Sequence, residues 1–385
     1  MANGVFSLHE NTTGSGNVAV GNQALYSSTT SDQNTAIGSS AMYSNSTGTN
    51  NVALGSSALN ANTTGSNNVS NGAGALYKNT TGGDNVANGF EALHENNIGS
   101  GNVALGKYAL YSNTTANQNT AIGSSAMYSN TTGTNNVALG SSALNENTTG
   151  SNNNATGNYS LYKNTTGNDN MASGHEALNN NTTGSRNVAI GTRALYYCNT
   201  DDNSALGYYS LSNNTTGFYN NAFGSFALTQ NTTGAYNSAS GTHALNKNTT
   251  GNDNVADGFE ALHENTTGTG NVALGKYTLY SNTTANQNTA IGSNAMYTNT
   301  TGTYNVALGS GALNTNTTGS NNVSNGAGAL YKNTTGGDNV ANGFEALHEN
   351  TNGTGNVAVG NQALYSNTTA NQNTAIGSSV MYSNT

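Results

Sequence analysis

The segment FEALHEN occurs three times and sets Glu91, His94 and Glu95, then Glu260, His263 and Glu264, then Glu345, His348 and Glu349 at fixed offsets, while a shorter HEAL adds His175 and Glu176. An imidazole between carboxylates is chemistry suited to a divalent cation. Adjacent His and Glu on an extended strand would point to opposite faces, however, and no HExxH helix is present. Lys78, Lys247 and Lys332 each stand 17 residues before Glu95, Glu264 and Glu349. These groups therefore read as solvated ion pairs worth at most ~1 kcal/mol each. No nucleophile, base and orienting group come together in any pattern, so the chain is not read as an enzyme and no cofactor or metal is expected.

Tyr26, Tyr43, Tyr111 and Tyr128 recur beside Leu or Met. Exposed rings among Asn could recognise sugars, with surface packing as the alternative. The many Asn-Thr-Thr triplets match the acceptor pattern for N-glycosylation, but an Asn held inside the fold could not carry a sugar. Pieces such as TGTGN are turns, with no following helix to cradle a phosphate. Cys198 is the lone cysteine. It excludes an intrachain disulfide framework and reads as a tolerated irregularity rather than a reactive thiol.

What positions these residues is a repeat. Asn opens a new copy every 17 residues from Asn17 to Asn187, the copy from Asn187 is one residue short, and the series resumes from Asn203 to Asn373. Numbering each copy from that Asn, position 5 is Gly in all 22 copies, position 3 is Ala or Ser, position 8 is nearly always Ala, and position 9 is Leu or Met, with NTTG usual at positions 12 to 15. Such a period decides the architecture before any other reading. Seventeen residues are too few for a strand, a helix and two connections. Short extended runs, NVAL and SSALN, separated by Gly corners fit better. The Gly after the two Thr is expected to supply a positive φ.

The predicted fold is all-β, a parallel β-solenoid of 17-residue rungs in which each residue lies over its counterpart about 4.8 Å away. Asn at positions 1 and 12 should then form amide ladders, and Ala at 3 and 8 with Leu or Met at 9 should fill a thin interior. An isolated rung orders too many residues for the apolar area it buries, so the ladders must hold it. The array is expected to form one domain over residues 1–385, about 110 Å long for some 22.5 rungs. Its ends fall mid-rung, as in a segment of a longer fibre.

Five rungs make a second period of 85 residues, clearest at position 4. Val20, Ile37 and Leu54 are followed by Asn71 and Asn88; then Leu105, Ile122 and Leu139 by Thr156 and Ser173; the next polar pair is Ser240 and Asp257; and Leu274, Ile291 and Leu308 are followed by Asn325 and Asn342. A position that accepts both Ile and Asp should lie outside the core. An outward apolar row seldom stays in water, so it is read as an interface with further copies of the chain, its register set by the polar pairs. Simple exposure is the competing account. Charged residues are 6% of the chain and the net charge is −9, with 8 Lys and Arg scattered. Nucleic acid and anionic membranes are poor partners for such a surface, and no stretch reads as a membrane span or signal peptide.

The rung N-(V/T)-A-(I/L)-G-x-x-A-(L/M) resembles the head repeats of trimeric autotransporter adhesins. It is even more similar to the NTAIG…AL…NTTG arrays of bacterial surface proteins and of phage or virus fibres, which often precede an endosialidase-type chaperone domain. The resemblance covers essentially the whole chain, from Ala2 to Thr385. It implies a left-handed parallel β-roll, three chains around an axis, and a fibre or adhesin at the cell surface or virion that meets a host glycan or receptor. Adhesin heads use a shorter repeat, and this chain shows no coiled-coil stalk, membrane anchor or chaperone domain. A ligand-binding solenoid that recognises glycan or ice through a flat ladder face is the alternative.

Overall fold

The computed structural model describes residues 1–384, and every strand in it is short. Each complete rung contributes one three-residue strand at positions 2 to 4, and within each unit a strand pairs in parallel with the strand 17 residues on, as in Val52↔Val69, Ala53↔Ser70 and Leu54↔Asn71. Among the described residues there are 23 strands and no helix. The chain forms two compact units, residues 1–192 and 193–385. The first carries β1 (Ala2–Asn3) to β12 (Val188–Ile190), and the second β13 (Ser204–Leu206) to β23 (Thr374–Ile376). Each is a parallel β-solenoid, as the repeat predicts.

The interior of both units is as narrow as the sequence implies. Ala19, Ala36 and Ala53 at position 3, Ala24, Ala41 and Ala58 at position 8, and Leu25, Met42 and Leu59 at position 9 are all fully buried, and the same columns continue through the later rungs. Where Ser70 and Ser324 replace Ala at position 3, each hydroxyl donates to a backbone carbonyl, of Ala75 at 2.8 Å and of Ala329 at 2.7 Å, so the buried polar group is satisfied.

The second predicted extended run is not a strand. Positions 6 to 11 are turn-like, and positions 7, 9 and 17 adopt left-handed backbone in nearly every rung, as at Ser57 (φ 54°), Leu59 (φ 51°) and Asn67 (φ 60°). A buried Leu in this region is unusual, since its Cβ crowds the backbone. The stack compensates by pairing the turn with its neighbour: Leu59 N–H donates to the carbonyl of Ala75 (2.9 Å), Ala61 to Tyr77 (3.0 Å) and Thr63 to Thr80 (2.9 Å). The bonds along the axis therefore run around the whole rung and are not confined to its strand.

The two Gly positions have different reasons. Gly at position 5 lies near φ +140°, and a Cβ on Gly38 would sit 2.3 Å from the carbonyl oxygen of Gly55. Gly at position 15, expected to need a positive φ, does not have one. It is small because a Cβ on Gly48 would lie 2.3 Å from the carbonyl oxygen of Gly65 and 2.5 Å from Oδ1 of its own rung's Asn45. Ala116 and Ala285 do occupy this position. There the turn opens slightly: Thr114 to Thr131 and Thr283 to Thr300 are 3.2 Å apart, against 2.9 Å for Thr63 to Thr80 beside Gly65.

Candidate functional site

Two Asn ladders run inside each unit. At position 12, Asn130 Nδ2 donates to Oδ1 of Asn113 in the rung before (3.0 Å) and to the carbonyl of Gly133 in its own rung (3.0 Å), and Asn147 Nδ2 donates in turn to Oδ1 of Asn130 (2.8 Å). At position 1, Asn51 N–H donates to Oδ1 of Asn34 (2.9 Å), and Asn51 Nδ2 to the carbonyl of Gly65 (2.9 Å). Asn62 Nδ2 reaches that same carbonyl at 2.8 Å. Both ladders thus converge on one oxygen per rung, which ties the start of a rung to its last turn. These Asn are fully buried. The acceptor triplets that begin at these buried Asn are therefore closed to any glycosylating enzyme in the folded chain, whereas Asn11 in the opening partial rung is exposed.

Cys198 takes position 12 in the shortened copy. It is buried, and desolvation pushes its thiol up, away from the reactive thiolate. Asn203 and Asn214 place Nδ2 3.7 Å from its sulfur. The structural reading of this residue is the one its surroundings favour.

Outside, position 10 builds a different ladder. Tyr77, His94, Tyr111 and Tyr128 stack at centroid spacings of 5.1 Å with their planes within 7° of parallel. Tyr26 and Tyr43 stack at 5.0 Å. In the second unit, His263, Tyr280 and Tyr297 form one column and Tyr331, His348, Tyr365 and Tyr382 another. The columns are interrupted where position 10 is Asn. Asn60, Asn145 and Asn314 each turn Nδ2 back to the carbonyl of the left-handed residue at position 7 of the previous rung, Ser40, Ser125 and Asn294, at 2.7–2.9 Å. The four Tyr singled out from sequence all lie in these columns.

Beside each column lie further aromatics that the sequence reading passed over. Phe90 meets Tyr108 edge-on at 5.6 Å, and Lys107 Nζ sits 4.8 Å from the centre of the Tyr108 ring. Phe259, Tyr277 and Lys276 repeat the arrangement at 5.5 and 4.8 Å. The signal was available as Phe at position 6 followed one rung later by Lys-Tyr.

The predicted Lys–Glu pairs form, at 2.6 Å for Lys78–Glu95, 2.7 Å for Lys247–Glu264 and 2.6 Å for Lys332–Glu349. The expectation that neighbouring His and Glu diverge is wrong. His94 Nδ1 lies 2.9 Å from Oε1 of Glu95, and His348 Nδ1 2.8 Å from Oε1 of Glu349, because this stretch is turn and lacks the alternation of a strand. Among the described residues, no three His, Cys, Asp or Glu side chains group as metal ligands would.

Position 4 points outward, as expected. Ile37 is 43% exposed, Ile122 40% and Ile291 41%, while the Ala preceding each is fully buried. Val20, Leu54, Leu105, Leu139, Leu274 and Leu308 are half-buried, and Asn71, Asn88, Asn325 and Asn342 are exposed. Position 2 shares this outer face, with Val52 and Val103 half-buried. The Thr at position 13 are less available than a free row would be: Thr63 Oγ1 donates to the carbonyl of Thr80 at 3.0 Å and Thr148 Oγ1 to that of Thr165 at 3.0 Å. No helix of the described residues is long and apolar enough to cross a membrane. No family model matches the chain, and no curated protein does.

Proposed function

We propose that the chain is the shaft or adhesive head of an extracellular or virion fibre, built by copies lying side by side through the strand face. The observation that carries this reading is the row of outward Ile, Leu and Val at position 4, broken every five rungs by a pair of polar residues. Runs of outward apolar side chains on a sheet face are costly to leave in water. The polar pairs suit an interface whose register must be specified, because two rows that slip by a rung would set Asn71 against Leu54 and Asn88 against Leu105. With the resemblance noted above, three copies are expected.

The test is the mass of the native assembly by sedimentation or light scattering. One chain is 39.0 kDa. A particle of three times that mass, reduced to one chain by Ile122→Asp together with Ile291→Asp, is the expected result. A wild-type monomer at micromolar concentration would end the proposal.

A second reading concerns what such a fibre would touch. The exposed Tyr and His columns offer flat rings at rung spacing, and aromatic faces with nearby amides suit sugar rings. Glycan recognition by these outer columns is the function they favour, and a glycan array without hits would remove it.

A further inference from the structure

We propose that the notch opened by Gly311 and Gly328 in the second unit is a subsite for one neutral or amino sugar ring, a proposal that rests on the glycan reading above. The notch measures about 290 Å³ and is lined by Asn314, Tyr331, Phe344, Glu345 and His348 over a floor of Gly and small side chains. That is the small end of the range for ligand pockets and suits a single ring. It lies where the aromatic column is interrupted, between Asn314 and Tyr331.

Two glycines make the space. At Gly328 (φ +67°) a Cβ would point at Cγ of Glu345, 3.3 Å away, and at Gly311 (φ +65°) one would lie 3.2 Å from the Tyr331 ring. Left-handed backbone at position 7 does not itself require Gly, because Ser57, Glu91 and Tyr108 adopt it too. The missing side chains are therefore a matter of room. Phe344, half exposed, supplies an apolar wall.

Two polar groups at the notch keep acceptors open. Asn314 uses one Nδ2 proton on the Asn294 carbonyl, leaving Oδ1 and the second proton, and Glu345 takes one hydrogen bond from Gln362 Nε2 at 2.8 Å, leaving the rest of its carboxylate. An apolar wall, one amide oxygen and a carboxylate select a ligand with a CH face and several donors, which hydroxyls or an ammonium provide. The same carboxylate disfavours sialic and uronic acids.

The chain carries its own comparison. FEALHEN follows Gly74, Gly328 and His243. At Gly74 the geometry recurs, with a Cβ pointing at Glu91 Cγ (3.1 Å) and His94 Cδ2 (3.5 Å). Ser57 stands there in the place of Gly311, so this notch is the narrower. In the third case His243, at φ 58°, takes the place of the Gly and stacks on Phe226 at 4.9 Å.

The experiment screens the full chain on immobilised neutral, amino and acidic oligosaccharides, then titrates the best soluble hit calorimetrically into wild type, Gly74→His/Gly328→His and Phe344→Ala. Because His is already borne at this rung position, the double variant should unfold at the wild-type midpoint. Binding of a neutral or amino sugar, weakened about tenfold or more by the double variant and by Phe344→Ala, is expected. A preference for acidic sugars, or undiminished binding by the double variant, would overturn the notch while leaving glycan recognition by the Tyr columns standing, and Tyr111→Ala would then report on those. No binding to any sugar would overturn both.

Discussion

The inner column at position 12 and the outer column at position 10 are built by the same repeat and stand two residues apart. Inside, Asn follows Asn, each amide bridging two rungs and its own turn, and substitution is rare: Ser28 and Cys198 are exceptions. Outside, Tyr and His stack for two to four rungs, stop at Asn60, Asn145 or Asn314, and start again. The inner position sees no water, so an amide removed there leaves its partners with nothing to replace it. The outer position has solvent on one side, so a missing ring costs only its stacking. The five-rung period thus appears on the outer wall at positions 4, 6, 7 and 10, while the interior repeats every rung. Variation is confined to where the fold can bear it, and that is where recognition would be placed.

The inner wall should be the most fragile. In Gly123→Ala the added Cβ lies 2.4 Å from the carbonyl oxygen of Gly140, against backbone on a shared ladder that cannot turn aside, and φ is +137°. A loss of ~3 kcal/mol or more is expected in urea unfolding of the first unit. Asn130→Ala should follow at ~2 kcal/mol, since it leaves Asn113 Oδ1 and an amide proton of Asn147 buried and unpaired. An unfolding midpoint unchanged by Asn130→Ala would mean that the ladder is a consequence of the stack and contributes nothing to it.

Most of this inner wall was legible in the sequence. A requirement met in every rung writes itself at one register, which is why Ala at 3, Leu or Met at 9 and Asn at 1 and 12 could be placed before any coordinates. What was not legible is the left-handed backbone at position 9. Leu25 and Met42 adopt φ near 50° against their own preference, held by rung-to-rung bonds that local propensity does not see. Position 17 did carry a trace, in its Asn, Asp and Gly residues, which tolerate that conformation. The misreading of SSALN as extended led directly to the error over His94 and Glu95. The notch at Gly311 and Gly328 was missed for a related reason: two Gly at position 7 look like turn residues until neighbouring rungs show what they leave open.

Outside, effects should be smaller. Tyr111→Ala removes a ring stacked on both faces, by His94 and Tyr128, each at 5.1 Å. About 1 kcal/mol is expected from thermal unfolding. A loss as large as that of Asn130→Ala would erase the distinction between the two columns, because it would make the outer stack a structural element in its own right.

The smallest effect belongs to the ion pairs. The hydrogen bond from Lys332 holds the Glu349 carboxyl below its usual value near 4.5, against the opposing pull of partial burial. A carboxylate favoured by the folded state stabilises it above the ordinary carboxyl range, and that contribution is lost as pH falls through the lowered value. Lys332→Met should therefore unfold slightly more easily than wild type at neutral pH, and the two should converge as pH falls below the ordinary carboxyl range. The pair is exposed enough for salt to screen it, so high ionic strength should close the same gap at neutral pH. A difference that persists through both treatments would show that the Lys332 side chain contributes through contact as well as charge, and the outer wall would then share the inner wall's dependence on contact.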